Sequence, residues 1–408
     1  MFIAECKKLF RPIYLLIALF ITIVFYNQEF SFILKYWPNG GMVPVYDQAS
    51  DWENRFGQTL EDEEITEIRA EYSTLIEKAN QIVAENSIAK QLQLTNYDEY
   101  QSWVQEYFPG GATKEQNEAE REIVKKSESI QRDLTKDMGQ NTVIQMDVMG
   151  ELIDAIKQFN SSEAFFDHGL YTGQEQQRLS ETLFEAEGWR TIMPSFLPSH
   201  LALYFERMLV LFILLFSLLV PPVFVKDRLV GLQKNQWSSH HGRKIIWTQF
   251  FVGMTASFLL ITCIVMIFGG ILYTTDFTKY FSSGLTSFFT ASEEPYLFSF
   301  YQWTLNQWML NIILLIYIIG LAYSGVLLFL AQTSRHYLSL LMKIIPVAFI
   351  FIVIANQMLT DVFYLKNSLY QWTKIPLSEF YAGILLLAIC ISFPIIYCVR
   401  QRNRDLLG

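Results

Sequence analysis

With 408 residues, 51% of them apolar and only 17% charged, the chain is too apolar for an ordinary soluble enzyme of its length. Its formal net charge of −9 argues against a nucleic-acid binder, which needs basic surface to release counterions. The four cysteines, Cys6, Cys263, Cys390 and Cys398, all lie in or beside apolar runs, so no disulfide framework holds the polar part of the chain.

Residues 1–10 alternate Glu5, Lys7 and Lys8 with Phe2, Ile3, Leu9 and Phe10, the pattern of a short amphipathic helix lying at a membrane surface. Pro12 opens an apolar run over 13–25 that resembles a signal h-region, but no small-residue cleavage site follows, so it reads as a retained first span. Lys7, Lys8 and Arg11 on its near side keep the N-terminus cytoplasmic and send the next segment out.

Residues 29–200 hold no apolar run able to cross a membrane and carry most of the acidic residues. Periodicity predicts a helix over 61–94, with Ile65, Ile68, Tyr72, Leu75, Ile76, Ala79 and Val83 on one stripe. Further helices are predicted over 97–108, from a Thr113 N-cap with Gln116 to 134, over 141–159 and over 173–187. Pro194 and Pro198 mark a rigid return towards the membrane. Lacking cysteines, such an external domain holds together by packing, which favours a bacterial exterior.

Apolar runs over 209–225, 245–273, 305–331, 338–359 and 377–399 bring the predicted spans to six. Lys226, Arg228, Lys234, Arg243 and Lys244 crowd the short loop 226–244, which places it in the cytoplasm. Arg335, Lys343, Arg400, Arg402 and Arg404 fall on the same predicted side, whereas Asp276, Glu293, Glu294 and Asp361 fall on the other. The expectation is an all-α membrane protein with six transmembrane helices, both termini cytoplasmic and a helical extracellular domain. Its parts are 1–28 with the interfacial helix and first span, 29–200 outside, and 201–408 with the remaining spans.

Glu206, Arg207, Lys343 and Glu379 fall near span ends, within reach of water, and no acid sits at a bilayer midplane, so proton-coupled transport lacks its usual carboxylate. Pro221, Pro222, Pro346 and Pro394 predict kinks, and Gly269-Gly270 with Gly320 and Gly325 predict close helix approach. Trp303, Trp308 and Trp372 suit an aromatic belt, and the aromatic stretches 277–289 and 362–372 read as short helices dipping into the outer interface.

No enzyme motif stands out. A Walker A loop is missing, the nearest imitation being Gly110-Gly111-Ala112-Thr113-Lys114, and there is no H-E-x-x-H. His240-His241 lack Cys or acid partners for a metal. Ser324 or Ser334 with His336 is proximity in sequence rather than a triad.

The central loop reads Asp227, Gly231 four residues on, then Ser238-Ser239 and Gly242-Arg243. Together with Glu5-Cys6-Lys7-Lys8-Leu9 and the six-span layout, it resembles the ABC-2 type transporter permeases. Asp227 stands where that family usually has Glu, Leu232 where Thr is common, and His240 where Pro often sits. The resemblance implies that the loop forms a coupling helix docking on a separate ABC ATPase subunit, with Asp227, Gly231 and Arg243 in the contact. Trp237 is the expected anchor, since aromatic residues dominate interface hot spots. ATP and Mg would then be bound by the partner, with no cofactor in this chain, and a second permease copy or a paralogue would complete a dimer in the lipid bilayer.

Abundant Phe, Tyr and Leu point to a hydrophobic or amphipathic cargo, peptide or lipid, met outside by the Ile65 to Ile76 stripe. The same layout also fits a non-transporting peptide sensor or immunity component working with the same kind of ATPase.

Overall fold

The computed structural model describes residues 2–9, 11–107, 118–166, 171–229, 245–291 and 298–402. Among them no strand forms beyond two isolated bridges, and six helices are long and apolar enough to cross a membrane. The chain divides into two units, one comprising Met1–Trp37, Ser195–Leu285 and Pro295–Gly408, the other Pro38–Pro194 and Thr286–Glu294.

In chain order, α1 (Phe2–Leu9) precedes α2 (Pro12–Lys35), whose start at Pro12 uses a residue with no N–H to leave unpaired. The apolar run predicts an end near residue 25, but α2 continues through a π-turn at Tyr26–Phe30. That turn seats Phe30 on Phe268, with ring centroids 4.1 Å apart, so tertiary stacking carries the helix past its apolar segment.

The second unit begins with α3 (Met42–Phe56), which periodicity did not mark. It then has α4 (Asp62–Glu85) and α5 (Ser87–Gln91) where one helix over 61–94 is expected. Asn86 makes the break: its Oδ1 accepts from the N–H of Ile88 at 2.8 Å and of Ala89 at 3.0 Å, capping a new helix. Next come α6 (Tyr97–Tyr107), α7 (Glu118–Met138), α8 (Gln140–Lys157), α9 (Ser162–Phe166) and α10 (Gly173–Ser180). Thr113, Gln116 and the Gly110-Gly111 breaker lie outside the described residues.

The core of this unit joins Val83 of α4, Tyr100 of α6, Leu134 of α7 and Met146 of α8. Ile65 and Ile68 of α4 are buried, and Tyr72, Leu75 and Ile76 pack against the core cluster. The stripe that sequence offered as a cargo-facing surface is therefore largely spent on packing the domain.

The first unit resumes with α11 (Phe196–Leu219), which accepts Pro198 because first-turn N–H groups have no intrahelical partner. It breaks at Val220 into α12 (Pro221–Leu229); α13 (Ile245–Leu272) follows. The stretch 277–289 does not form one interfacial helix. Phe277 stays in the first unit, stacked edge-on against Trp37 at 4.8 Å. Phe288 and Phe289 instead belong to the second, where α14 (Phe288–Ala291) puts both rings 6.1 Å from buried Trp52. Ser287 Oγ donates to the Thr191 carbonyl at 2.6 Å, fastening this returning segment. At Gly188, a Cβ would lie 2.5 Å from the Thr182 carbonyl oxygen, so only glycine fits there.

The remaining elements are α15 (Leu305–Thr333), α16 (Tyr337–Leu359), α17 (Ser368–Thr373) and α18 (Ser378–Arg402). Helix α15 is the hub, packing on α11, α12, α13, α16 and α18. Gly325 makes the α18 contact possible, since a Cβ there would sit 3.0 Å from the Cys390 carbonyl oxygen. Gly269 and Gly270, by contrast, face open space and bring no helix close.

Of the stretch 362–372 only the second half is helical, within α17. Val362, Phe363 and Leu365 are buried, and the fully buried Trp308 donates from Nε1 to the Val362 carbonyl at 3.0 Å. Of the expected aromatic belt, Trp372 is 86% exposed whereas Trp308 is core.

Candidate functional site

The stretch singled out by sequence is entered from α12, at one end of the first unit. Asp227 lies on the last helical turn of α12, and nothing of its side chain is described; Gly231, Trp237 and Arg243, like His240 and His241, lie outside the described residues. Helix α12 is anchored by Val223, Phe224 and Val225, all buried, while Lys226 is exposed at its end.

Helix α1 reaches the same end. It packs on α13, and the far end of α2 meets α13 at Phe268, near the α13 C-terminus. About 18 residues of helix separate Pro12 from Phe30, roughly 27 Å of rise, so α1 must lie by the Ile245 end of α13, where the loop ends. Glu5 is 4% exposed there. Its Oε1 accepts from Lys8 Nζ at 2.7 Å, and its buried Oε2 has no hydrogen-bond partner among the described residues.

Several polar contacts between the helices are made by hydroxyls. Ser257 and Ser324 meet at 2.6 Å, and Ser324 Oγ also donates to the Gly320 carbonyl at 2.8 Å. Thr262 meets Tyr317 at 2.7 Å, Ser217 bonds Tyr323, and Tyr204 donates to the Phe268 carbonyl at 2.8 Å. Such pairs fasten helices where water is absent. Ser324 is thus committed to α13 and has no histidine against it, since His336 is exposed beyond the end of α15. Ser334 accepts from Lys343 Nζ at 3.2 Å. Among the described residues Ser324 thus has no adjacent base of the kind that activates a nucleophile.

Two acids expected to reach water do not. Glu206 is 6% exposed on α11, and Glu379 is 2% exposed on α18. The Glu379 Oε1 accepts the N–H of Phe363 at 3.1 Å, so it fastens the turn after α16. Next to Glu206, Arg207 pairs with Glu29 at 3.3 Å, tying α11 to α2.

Below the break at Val220, an apolar crevice of about 360 Å³ opens between α11, α12 and the first turns of α16. Ser217, Pro222, Leu340, Leu341 and Ile344 are among its lining residues. Sequence did not signal it, because its walls are ordinary span residues that come together only where the two prolines bend the chain.

The second unit holds a buried polar cluster. Tyr97 Oη donates to Asp147 Oδ1 at 2.5 Å, and Gln101 Nε2 reaches both the Tyr97 hydroxyl at 2.5 Å and Asp147 at 3.3 Å. Burial pushes the Asp147 carboxyl above its ordinary value, opposed by the Tyr97 hydrogen bond. Burial, and then the hydrogen bond to Asp147, push the Tyr97 phenol up as well. Fifty positions separate the two residues, so no local motif announces the pair.

A polar pocket of about 520 Å³ elsewhere in this unit is lined by Glu61, Asp62, Glu63, Glu187 and Arg190. Its one cation is engaged, since Arg190 bonds Asp62 at 2.8 Å and the Leu60 carbonyl at 3.1 Å. Among the described residues no cluster of His, Cys, Asp or Glu is arranged to hold a metal. Comparison with protein-family models, with curated proteins and with solved structures found no match to this chain.

Proposed function

We propose that this chain is the membrane subunit of an ATP-binding cassette exporter, driven by separate ATPase subunits and paired with a second copy of itself or a paralogue. One observation carries the reading. Helix α1, which resembles the N-terminal helix of the ABC-2 permeases, packs at the end of the six-helix apolar unit where α12 runs towards the basic stretch 226–244 and α13 follows it. With the positive residues at that end cytoplasmic, both termini are inside and residues 38–194 are exported.

A partner that hydrolyses ATP would push on this end, through Asp227, Gly231, Trp237 and Arg243. Hydroxyl pairs between the helices and small-residue contacts on α15 suit helices that slide or tilt together. Helix α2 has no buried residue along Pro12–Phe25, which leaves apolar surface for lipid and for a second copy. The cargo is hydrophobic or amphipathic, a lipid or a peptide, and the exported domain serves its release.

The test is biochemical. The purified chain is assayed alone for ATP hydrolysis and is coexpressed with an ABC ATPase subunit from the same genome. Copurification without intrinsic ATPase activity supports the proposal; hydrolysis by the chain alone, or failure to copurify, removes it.

A further inference from the structure

The crevice at the break between α11 and α12 has a chemistry the transport reading does not use. Its walls are almost wholly apolar, supplied by Leu218 of α11, Pro222 of α12 and Leu338, Leu340, Leu341 and Ile344 of α16. At about 360 Å³ it is too small for a folded partner and wide enough for an alkyl chain. Leu218, Leu338 and Leu341 are about half exposed or more, so the crevice opens sideways from the helix unit.

Two exposed cations stand close in the chain to the residues that line this crevice. Lys226 follows Pro222 by one helical turn, on the same side of α12, and is exposed. Arg335 is exposed in the turn that enters α16, two residues before Tyr337 of the lining. Among the described residues neither has an acidic partner. Lys343 lies deeper along α16, yet its ammonium turns back to Ser334 Oγ at 3.2 Å, beside Arg335. A lysine that bends towards a helix end in this way keeps its charge at the polar boundary while its stem stays in apolar surroundings.

We infer that this crevice is a binding site for an anionic phospholipid, with one acyl chain against Leu340 and Ile344 and the phosphate between Lys226 and Arg335. An apolar slot capped by basic residues at a helix end matches such a lipid in both of its parts. A second copy of the chain fits worse, because a two-fold contact through this face would bring the same cations towards one another. The inference needs the six helices to lie in a bilayer but does not need the chain to be an exporter.

The test uses the full chain purified in detergent, with dioleoylphosphatidylglycerol or dioleoylphosphatidylcholine added, and counts retained lipid by native mass spectrometry. The phosphatidylglycerol should be retained in clear preference. Lys226→Gln and Arg335→Gln should each lower that preference about fivefold, while total phosphatidylcholine retention stays unchanged. Leu341→Trp, which fills the slot, should lose the preferred lipid whatever its headgroup. Equal retention of the two lipids, or a preference untouched in the Lys226→Gln/Arg335→Gln double variant, overturns the assignment. Should Leu341→Trp fail to fold, the two surface charge variants decide the matter alone. A Leu338→Cys chain that forms an oxidised dimer where the parent does not would assign the crevice to a second copy and likewise overturn the lipid site.

Discussion

Replacing Tyr97 by Phe removes one hydroxyl from the second unit and leaves its ring packing in place. Among the described residues Asp147 would keep only Gln101, 3.3 Å away, as a donor. Among the described residues no basic side chain bonds to this cluster; Tyr72 shares its surroundings with Asp98, Asp147 and Asp154, and Glu151 feels Asp147. The folded-state carboxyl of Asp147 therefore sits above its unfolded value, mainly through burial.

Folding thus favours the protonated acid. That contribution is fully present below the unfolded pKa and is lost as pH rises through the raised folded pKa. Above that range the Tyr97 hydroxyl is a donor to a half-buried carboxylate, worth about 2 kcal/mol; below it, a neutral hydrogen bond is worth about 1 kcal/mol. Hydrogen exchange on the full chain reads both, as local opening of the amides in α6 and α8. Tyr97→Phe should speed that opening about thirtyfold near pH 8 and about fivefold near pH 3, below the unfolded carboxyl value. Asp147→Asn should flatten the pH dependence. An equal effect of Tyr97→Phe at both pH values, or one under about twofold at either, would refute the reasoning.

At the α15 contact with α18, Gly325→Val should cost about 1–3 kcal/mol by overpacking against the Cys390 backbone, whereas Gly269→Ala, facing open space, should be neutral or mildly stabilising. Thermal unfolding in detergent separates them, and similar losses would contradict the packing argument. Ser257→Ala and Ser324→Ala should show a coupling of about 0.6 kcal/mol in a double-mutant cycle, since Ser324 keeps its bond to the Gly320 carbonyl; strict additivity would mean the pair contributes nothing. Arg55 spans Asp51, Glu67 and Glu71 at 3.2, 2.8 and 3.1 Å on an exposed face, so Arg55→Ala should cost under about 1 kcal/mol, shrinking with salt. A large, salt-independent loss would show a role beyond the surface network.

Long apolar runs made the six membrane-length helices legible, since few arrangements other than a spanning helix satisfy the backbone of such a segment. The α13 expectation of 245–273 meets a helix at Ile245–Leu272. What periodicity does not carry is tertiary choice. It runs through Asn86, whose side chain starts a new helix, and stops α2 short of Phe30, whose ring stacks on a distant helix. It gives an aromatic stretch to the membrane interface when Phe288 and Phe289 are core residues against Trp52.

The candidate site was legible as composition, a basic loop beside an amphipathic start. Its geometry was not. The crevice depends on a bend at Pro221-Pro222, and Glu379 became a backbone acceptor because the turn after α16 folds back onto α18.

The central claim is tested most directly by joining this end of the molecule to its proposed energy source. The chain and a coexpressed ABC ATPase subunit are copurified, reconstituted into vesicles and assayed for ATP-dependent movement of a fluorescent lipid or amphipathic peptide, with Trp237→Ala and Gly231→Pro alongside. Trp237→Ala removes the aromatic anchor and Gly231→Pro fixes a backbone that glycine leaves free. The account predicts that the parent complex moves cargo, and that both variants insert normally but lose ATPase retention or transport. Unchanged copurification and transport in both variants, or ATP hydrolysis by the chain without its partner, would contradict it.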